Sequence, residues 1–131
     1  MTILNPLRCI LLWFILIIAM VLHFNYHVGD LFYGIDIVQS EANGIIPTGT
    51  HIIRNIFYHL PIIWILIMLY FDQKWIRQGL FIISIIYSLS HAIHLIGEMT
   101  EPDFSQMPLL SITLAVSLLL TWEHFKYMKS N

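Results

Sequence analysis

Charge and cysteine are both scarce in this chain. Its 131 residues include 6 Lys or Arg, 8 Asp or Glu and one cysteine, while 58% are hydrophobic. A net charge of −2 with no basic patch excludes nucleic-acid binding, which needs cations to meet phosphates. The lone Cys9 excludes an internal disulfide and a thiolate cluster. Any metal must therefore be held by imidazole and carboxylate, with Met20, Met99 or Met107 as possible thioether help. Glycine is sparse too, and neither a GxGxxG nor a P-loop motif is present to cradle a phosphate. Ser84, Ser88 and Ser90 lie in an apolar run without the turn that exposes a nucleophilic serine.

What fills the space is hydrocarbon. Residues 9–28, 52–71, 75–96 and 108–124 are each mostly apolar and close to the length of about 20 residues that a membrane-crossing helix needs. The expectation is a single integral membrane domain over residues 1–131, an all-α bundle of four transmembrane helices. The short connections after the second and third spans predict antiparallel packing of those neighbours. Arg8 before the first span imitates a signal peptide, but the run leads into the bulky His23-Phe24-Asn25-Tyr26-His27 and not into small cleavage-site residues. That span is expected to be retained.

The positions of Lys and Arg set the expected topology. Arg8, Lys74, Arg77, Lys126 and Lys129 flank the spans on one side, while residues 29–50 and 97–107 contain neither Lys nor Arg. Those two loops carry Asp30, Asp36, Glu41, Glu98, Glu101 and Asp103 instead. By the positive-inside rule both termini are cytoplasmic and the acidic loops lie outside, in a multi-pass protein of a bacterial inner membrane. In the first outer loop Leu31, Phe32, Ile35 and Val38 recur at helical spacing opposite Asp36, Gln39 and Glu41, and Asn43-Gly44 supplies a stop. This predicts a short interfacial helix that can act as a lid, with Asp30 as its N-cap.

Histidine is the residue that stands out. Six of the seven cluster at the outer ends of the first three spans: His23 and His27, His51 and His59, His91 and His94. Titratable side chains near hydrocarbon are costly and mark functional sites. At about 1.5 Å of rise per residue, His23 and His94 fall at one depth and His91 and His59 at another, slightly deeper. His23, His27 and Asp30 share a helix face, as do His51, Arg54, Asn55, Tyr58 and His59, and Ser84, Tyr87, Ser88, His91, His94 and Glu98. His27 and His51 also suit a plain interfacial role. Ser117 and Thr121 fit interhelical packing, and His124, between Glu123 and Lys126, is expected to be a solvated terminus.

Neutral imidazole with a carboxylate suits zinc, iron or copper. The candidate ligands are His23, His27, His59, His91, His94 and Glu98, a set large enough for two ions or for one ion with proton-transfer groups. A bound ion lowers the pKa of its water, so the leading expectation is a membrane metalloenzyme, a hydrolase or oxidoreductase acting on a lipid-soluble substrate. Glu98 and Arg54 are its candidate catalytic groups, Arg54 as a clamp for a phosphate or carboxylate, or else paired with Glu98 or Asp30. The alternatives are a b-type haem subunit that transfers electrons or reacts with quinone, and a non-catalytic assembly subunit, beside a partner membrane subunit, whose polar groups satisfy one another.

Overall fold

The computed structural model describes residues 4–38, 42–100 and 104–130. Most of these residues are helical and none is in a strand, and they include four helical spans long and apolar enough to cross a membrane. Helix α1 covers Leu4–Gly29. The second span is composite: α2 (Thr48–Arg54), one π-helical turn (Asn55–His59) and α3 (Leu60–Tyr70). Helices α4 (Lys74–Glu98) and α5 (Met107–Lys129) complete the set.

The π turn follows from Pro61. Proline has no N–H to give and its ring crowds the carbonyl one turn back, so the ladder widens just before it. Leu60 N–H reaches Asn55 and not Ile56. The Ile56 carbonyl then has no backbone donor, because its next candidate is Pro61. The Tyr87 hydroxyl of α4 donates to it.

Helix α5 is central, packed along α4 on one side and α1 on the other, with α3 against α1. Its buried positions Leu110, Thr113, Ser117, Leu120, His124 and Tyr127 repeat at alternating steps of three and four, the seam of a left-handed helix pair. Small polar side chains let α4 and α5 approach closely: Ser88 Oγ donates to the Ser117 carbonyl and contacts Thr121 Oγ1, both at 2.8 Å. The second span and α4, although joined by a tight turn, stand apart along a cleft. Tyr87 and Phe57, with ring centroids 5.5 Å apart, cross its middle and divide it into two cavities.

Three sequence expectations change here. His124 is fully buried, not solvated; it accepts a hydrogen bond from Trp13 Nε1 at 3.0 Å. Its charged neighbours Glu123 and Lys126 pair with each other beside it, and Glu123 also meets Arg8 at 3.9 Å. In the first acidic loop, helix beyond α1 is limited among the described residues to one 3-10 turn, Asp30–Tyr33, ended by Gly34 at φ +76°. Residues 35–38 have no regular structure, Asp30 makes no side-chain cap, and Gln39 and Glu41 lie outside the described residues, as do Glu101 and Asp103. The second and third spans are antiparallel neighbours, but the cleft replaces the close packing expected between them.

Arg8, Lys74, Arg77, Lys126 and Lys129 all fall at one end of the bundle, and the histidine pairs of α1 and α4 at the other.

Candidate functional site

The buried stripe of α1 runs through Cys9, Trp13, Leu16 and Ala19 to His23, so heptad-like spacing carries an imidazole into the interface at the last turns. The stripe of α4 does the same through Ser84, Tyr87 and Ser88 to His91, with His94 one turn on. The two stripes meet at the histidine end. His23 Nε2 and His94 Nε2 are 3.2 Å apart although 71 residues separate them in the chain. The rings meet edge to face, with centroids 5.1 Å apart. His27 packs against His23 with centroids 4.8 Å apart, and its Nδ1 lies 3.4 Å from the Gln106 amide nitrogen at the start of α5.

Two nitrogen lone pairs cannot face each other at 3.2 Å without a positive centre between them. A proton on one nitrogen makes the contact a hydrogen bond. A metal ion also satisfies it, because two imidazoles on one tetrahedral ion with bonds of about 2.05 Å place their nitrogens about 3.3 Å apart. His23 Nδ1 is buried and makes no hydrogen bond among the described residues, the outer contact that usually fixes the tautomer of a metal-bound histidine.

Below the pair lies a cavity of about 510 Å³, bordered by Met20, Phe57, Tyr58 and His91 as well as the three imidazoles above. His91 is only 5% exposed and sits against the Phe57 and Tyr87 rings, with centroids 5.5 and 6.4 Å away. Tyr58 reaches back to the Met20 carbonyl at 3.5 Å and closes the α1 side. Phe24, Ile53 and Ile93 add hydrocarbon to its walls, and Ser90, whose hydroxyl donates to the Ile86 carbonyl, also lines it.

The remaining candidates are placed differently. His59 is exposed and does not border this cavity; its Nδ1 is 2.7 Å from Asn55 Oδ1, while Asn55 donates to the His51 carbonyl at 3.0 Å. These three form a self-satisfied ladder up the outside of the second span. Arg54 is exposed beside Val38, Thr50 and the loop at 42–47, and among the described residues it forms no ion pair with Glu98 or Asp30. Glu98 is half-buried at the end of α4, one turn beyond His94. Among the described residues no three His, Cys, Asp or Glu side chains are grouped closely enough to hold a metal ion as they stand.

Gln106, 2% exposed, is a site residue that sequence reasoning missed. Its only signal is its place just before Met107-Pro108, a helix start whose position against α1 appears only once the bundle is assembled. Phe57 was missed for a similar reason, since an aromatic in an apolar span reads as lipid contact. Comparison with protein families, curated proteins and solved structures finds no match to this chain.

Proposed function

We propose that this chain is an integral membrane metal-binding protein in which His23 and His94 bind one transition-metal ion, zinc, iron or copper, at the rim of a cavity that admits a lipid-soluble substrate. The reading rests on one observation: the 3.2 Å separation of the two Nε2 atoms, which matches the bite of two imidazoles on one ion. His27 is the nearest further imidazole, and a turn of its ring supplies a third ligand. Glu98 then completes the set or orients a ligating ring. An ion held this way supplies Lewis-acid or redox chemistry, while the chain's own residues orient an apolar substrate against Phe57 and His91 and keep bulk water out.

The haem alternative draws less support from this pair. Two axial imidazoles stand about 4 Å apart, twice a metal–nitrogen bond of about 2 Å, with a flat macrocycle between them. Edge-to-face rings at 3.2 Å leave it no room.

In this reading the basic end faces the cytoplasm and the histidine end faces outward, by the distribution of Lys and Arg. Leu31, Phe32, Ile35 and Val38, all exposed, then rest on the outer membrane surface beside the cavity mouth.

The test is metal analysis and an absorption spectrum of the purified protein, with His23→Ala and His94→Ala beside it. About one equivalent of zinc, iron or copper, lost in both variants, is the expected result. A Soret band selects haem instead. Protein that stays metal-free after incubation with each ion leaves the pair as a hydrogen bond and removes the proposal.

A further inference from the structure

At the basic end, where α4 begins and α5 ends, a cavity of about 460 Å³ is lined by Lys74, Arg77, Gln78, Met128, Lys129 and Ser130. Its charges are not equivalent. Arg77 is engaged: Nε donates to Asp72 at 2.7 Å, Nη1 donates to the Ser130 carbonyl at 2.7 Å, and the guanidinium carbon lies 4.7 Å from the centre of the Tyr127 ring. Lys126, outside the cavity, is paired with Glu123. Lys74 and Lys129 have no carboxylate partner among the described residues; Lys129 Nζ lies 4.1 Å over the Phe125 ring. Among the described residues, two cations without a carboxylate partner therefore border one concave site, and no acidic side chain lines it.

Its depth identifies the ligand. Tyr70, Trp75 and Trp122 are 77%, 71% and 57% exposed around the same end of the bundle. Such aromatics sit at the boundary between hydrocarbon and headgroups. Lys74 adjoins Trp75, and Lys129 lies two turns beyond Trp122, so both ammonium groups fall at headgroup level. The start of α4, where Gln73 makes no side-chain cap, adds the partial positive charge of a helix N-terminus. We propose that this cavity seats the phosphate of an anionic glycerophospholipid, with Lys74 and Lys129 on the phosphate oxygens and the Gln78 amide available to a headgroup hydroxyl. Among the described residues lining the cavity, a headgroup amine would meet two lysines and no carboxylate, which selects net-anionic lipids over zwitterionic ones.

Native mass spectrometry of the full chain in detergent, titrated with phosphatidylglycerol or phosphatidylcholine of matched acyl chains, tests this. Preferential retention of phosphatidylglycerol is expected. At about fivefold per lysine, Lys74→Gln with Lys129→Gln lowers its affinity about 25-fold. Lys126→Gln leaves binding unchanged, and Lys74→Arg with Lys129→Arg restores most of it. Equal retention of the two lipids overturns the proposal, and so does a preference that survives the double Gln variant. Displacement of bound lipid by low-millimolar inorganic phosphate overturns the lipid assignment in favour of a free-anion site.

Discussion

The Tyr87 hydroxyl of α4 donates to the carbonyl of Ile56, the acceptor that Pro61 leaves without a backbone donor in the second span. One proline thus creates an open backbone group, and a tyrosine on a different helix answers it. The same tyrosine packs edge-on against Trp13 of α1, with centroids 4.9 Å apart, so α1, α4 and the second span are joined at one side chain.

Tyr87→Phe is expected to destabilise the bundle by about 0.5–1.5 kcal/mol, the range for interhelical hydrogen bonds in membranes. Pro61→Ala lets an ordinary α turn form and gives Ile56 a backbone donor. In that background Tyr87→Phe should cost clearly less. Denaturant unfolding of the two single variants and the double gives the coupling directly. Purely additive effects would show that the hydroxyl and the proline act independently.

A second prediction concerns His124, which sequence reading placed in solvent, and its partner Trp13. Trp13 and His124 are both 0% exposed, and the indole N–H has the imidazole Nε2 as its acceptor. His124→Phe preserves a ring but strands that donor, at a cost of about 1–3 kcal/mol. Trp13→Phe with His124→Phe removes both polar partners and should recover part of the loss. Thermal unfolding of the three variants checks this; an unaltered melting temperature in His124→Phe would mean the pair contributes nothing.

Why His124 escaped the sequence reading is physically simple. Glu123 and Lys126 flank it, and charged neighbours read as a solvated end. Its spacing from Ser117, Leu120 and Tyr127, however, continues the buried stripe of α5. Four helical spans and the convergence of α1 with α4 were legible, because apolar length and three- and four-residue spacing report height and face on a single helix. Which neighbour a face meets was not. The polar stripe from His51 to His59 is about 140° wide at about 100° per residue, too broad for one partner. Tyr58 turns to α1, and His59 turns outward to Asn55. Pro61 is visible in the sequence, but the widened turn it imposes is not.

Asp72 supplies the pH prediction. It lies in the turn between α3 and α4, where the Arg77 hydrogen bond, and secondarily that of Tyr127, holds its carboxyl below the usual carboxylate range. A carboxyl depressed in the folded state contributes stability above its unfolded pKa of about 3.9 and loses that contribution as pH falls through the lower folded value. Asp72→Asn should therefore melt lower than the native chain at neutral pH, and the difference should close below about pH 4. The effect is modest, because the Asp72 side chain is 47% exposed. A gap that persists unchanged into strong acid would assign the loss to packing.

His59 and His91, both candidate ligands on the sequence, are placed differently by the fold. His91 is buried against the cavity and His59 is outside it. If the cavity is the functional site, His59→Ala leaves metal content within error, while a bulkier His91→Trp blocks access of a lipid-soluble probe such as a short-chain quinone. Loss of metal in His59→Ala would move the site to the second span.

Glu98 and Arg54 decide between two roles for the carboxylate. As a ligand, or as the group that orients His94 or His91, Glu98 is expected to matter to metal retention, with Glu98→Gln weakening it by about 10–100-fold if it acts by orienting a ring. Arg54 forms no ion pair with it among the described residues and is exposed beside the first acidic loop. Arg54→Gln should accordingly leave stability within about 0.5 kcal/mol and metal content unchanged, and the double variant should behave as Glu98→Gln alone. The rival arrangement is an ion pair that neutralises both groups. It requires Arg54→Gln to destabilise about as much as Glu98→Gln and the double variant to regain part of the loss. Metal content and melting temperature of the three variants separate the cases: unchanged metal in Glu98→Gln, with rescue in the double, would leave His23, His94 and His27 to hold the ion without a carboxylate.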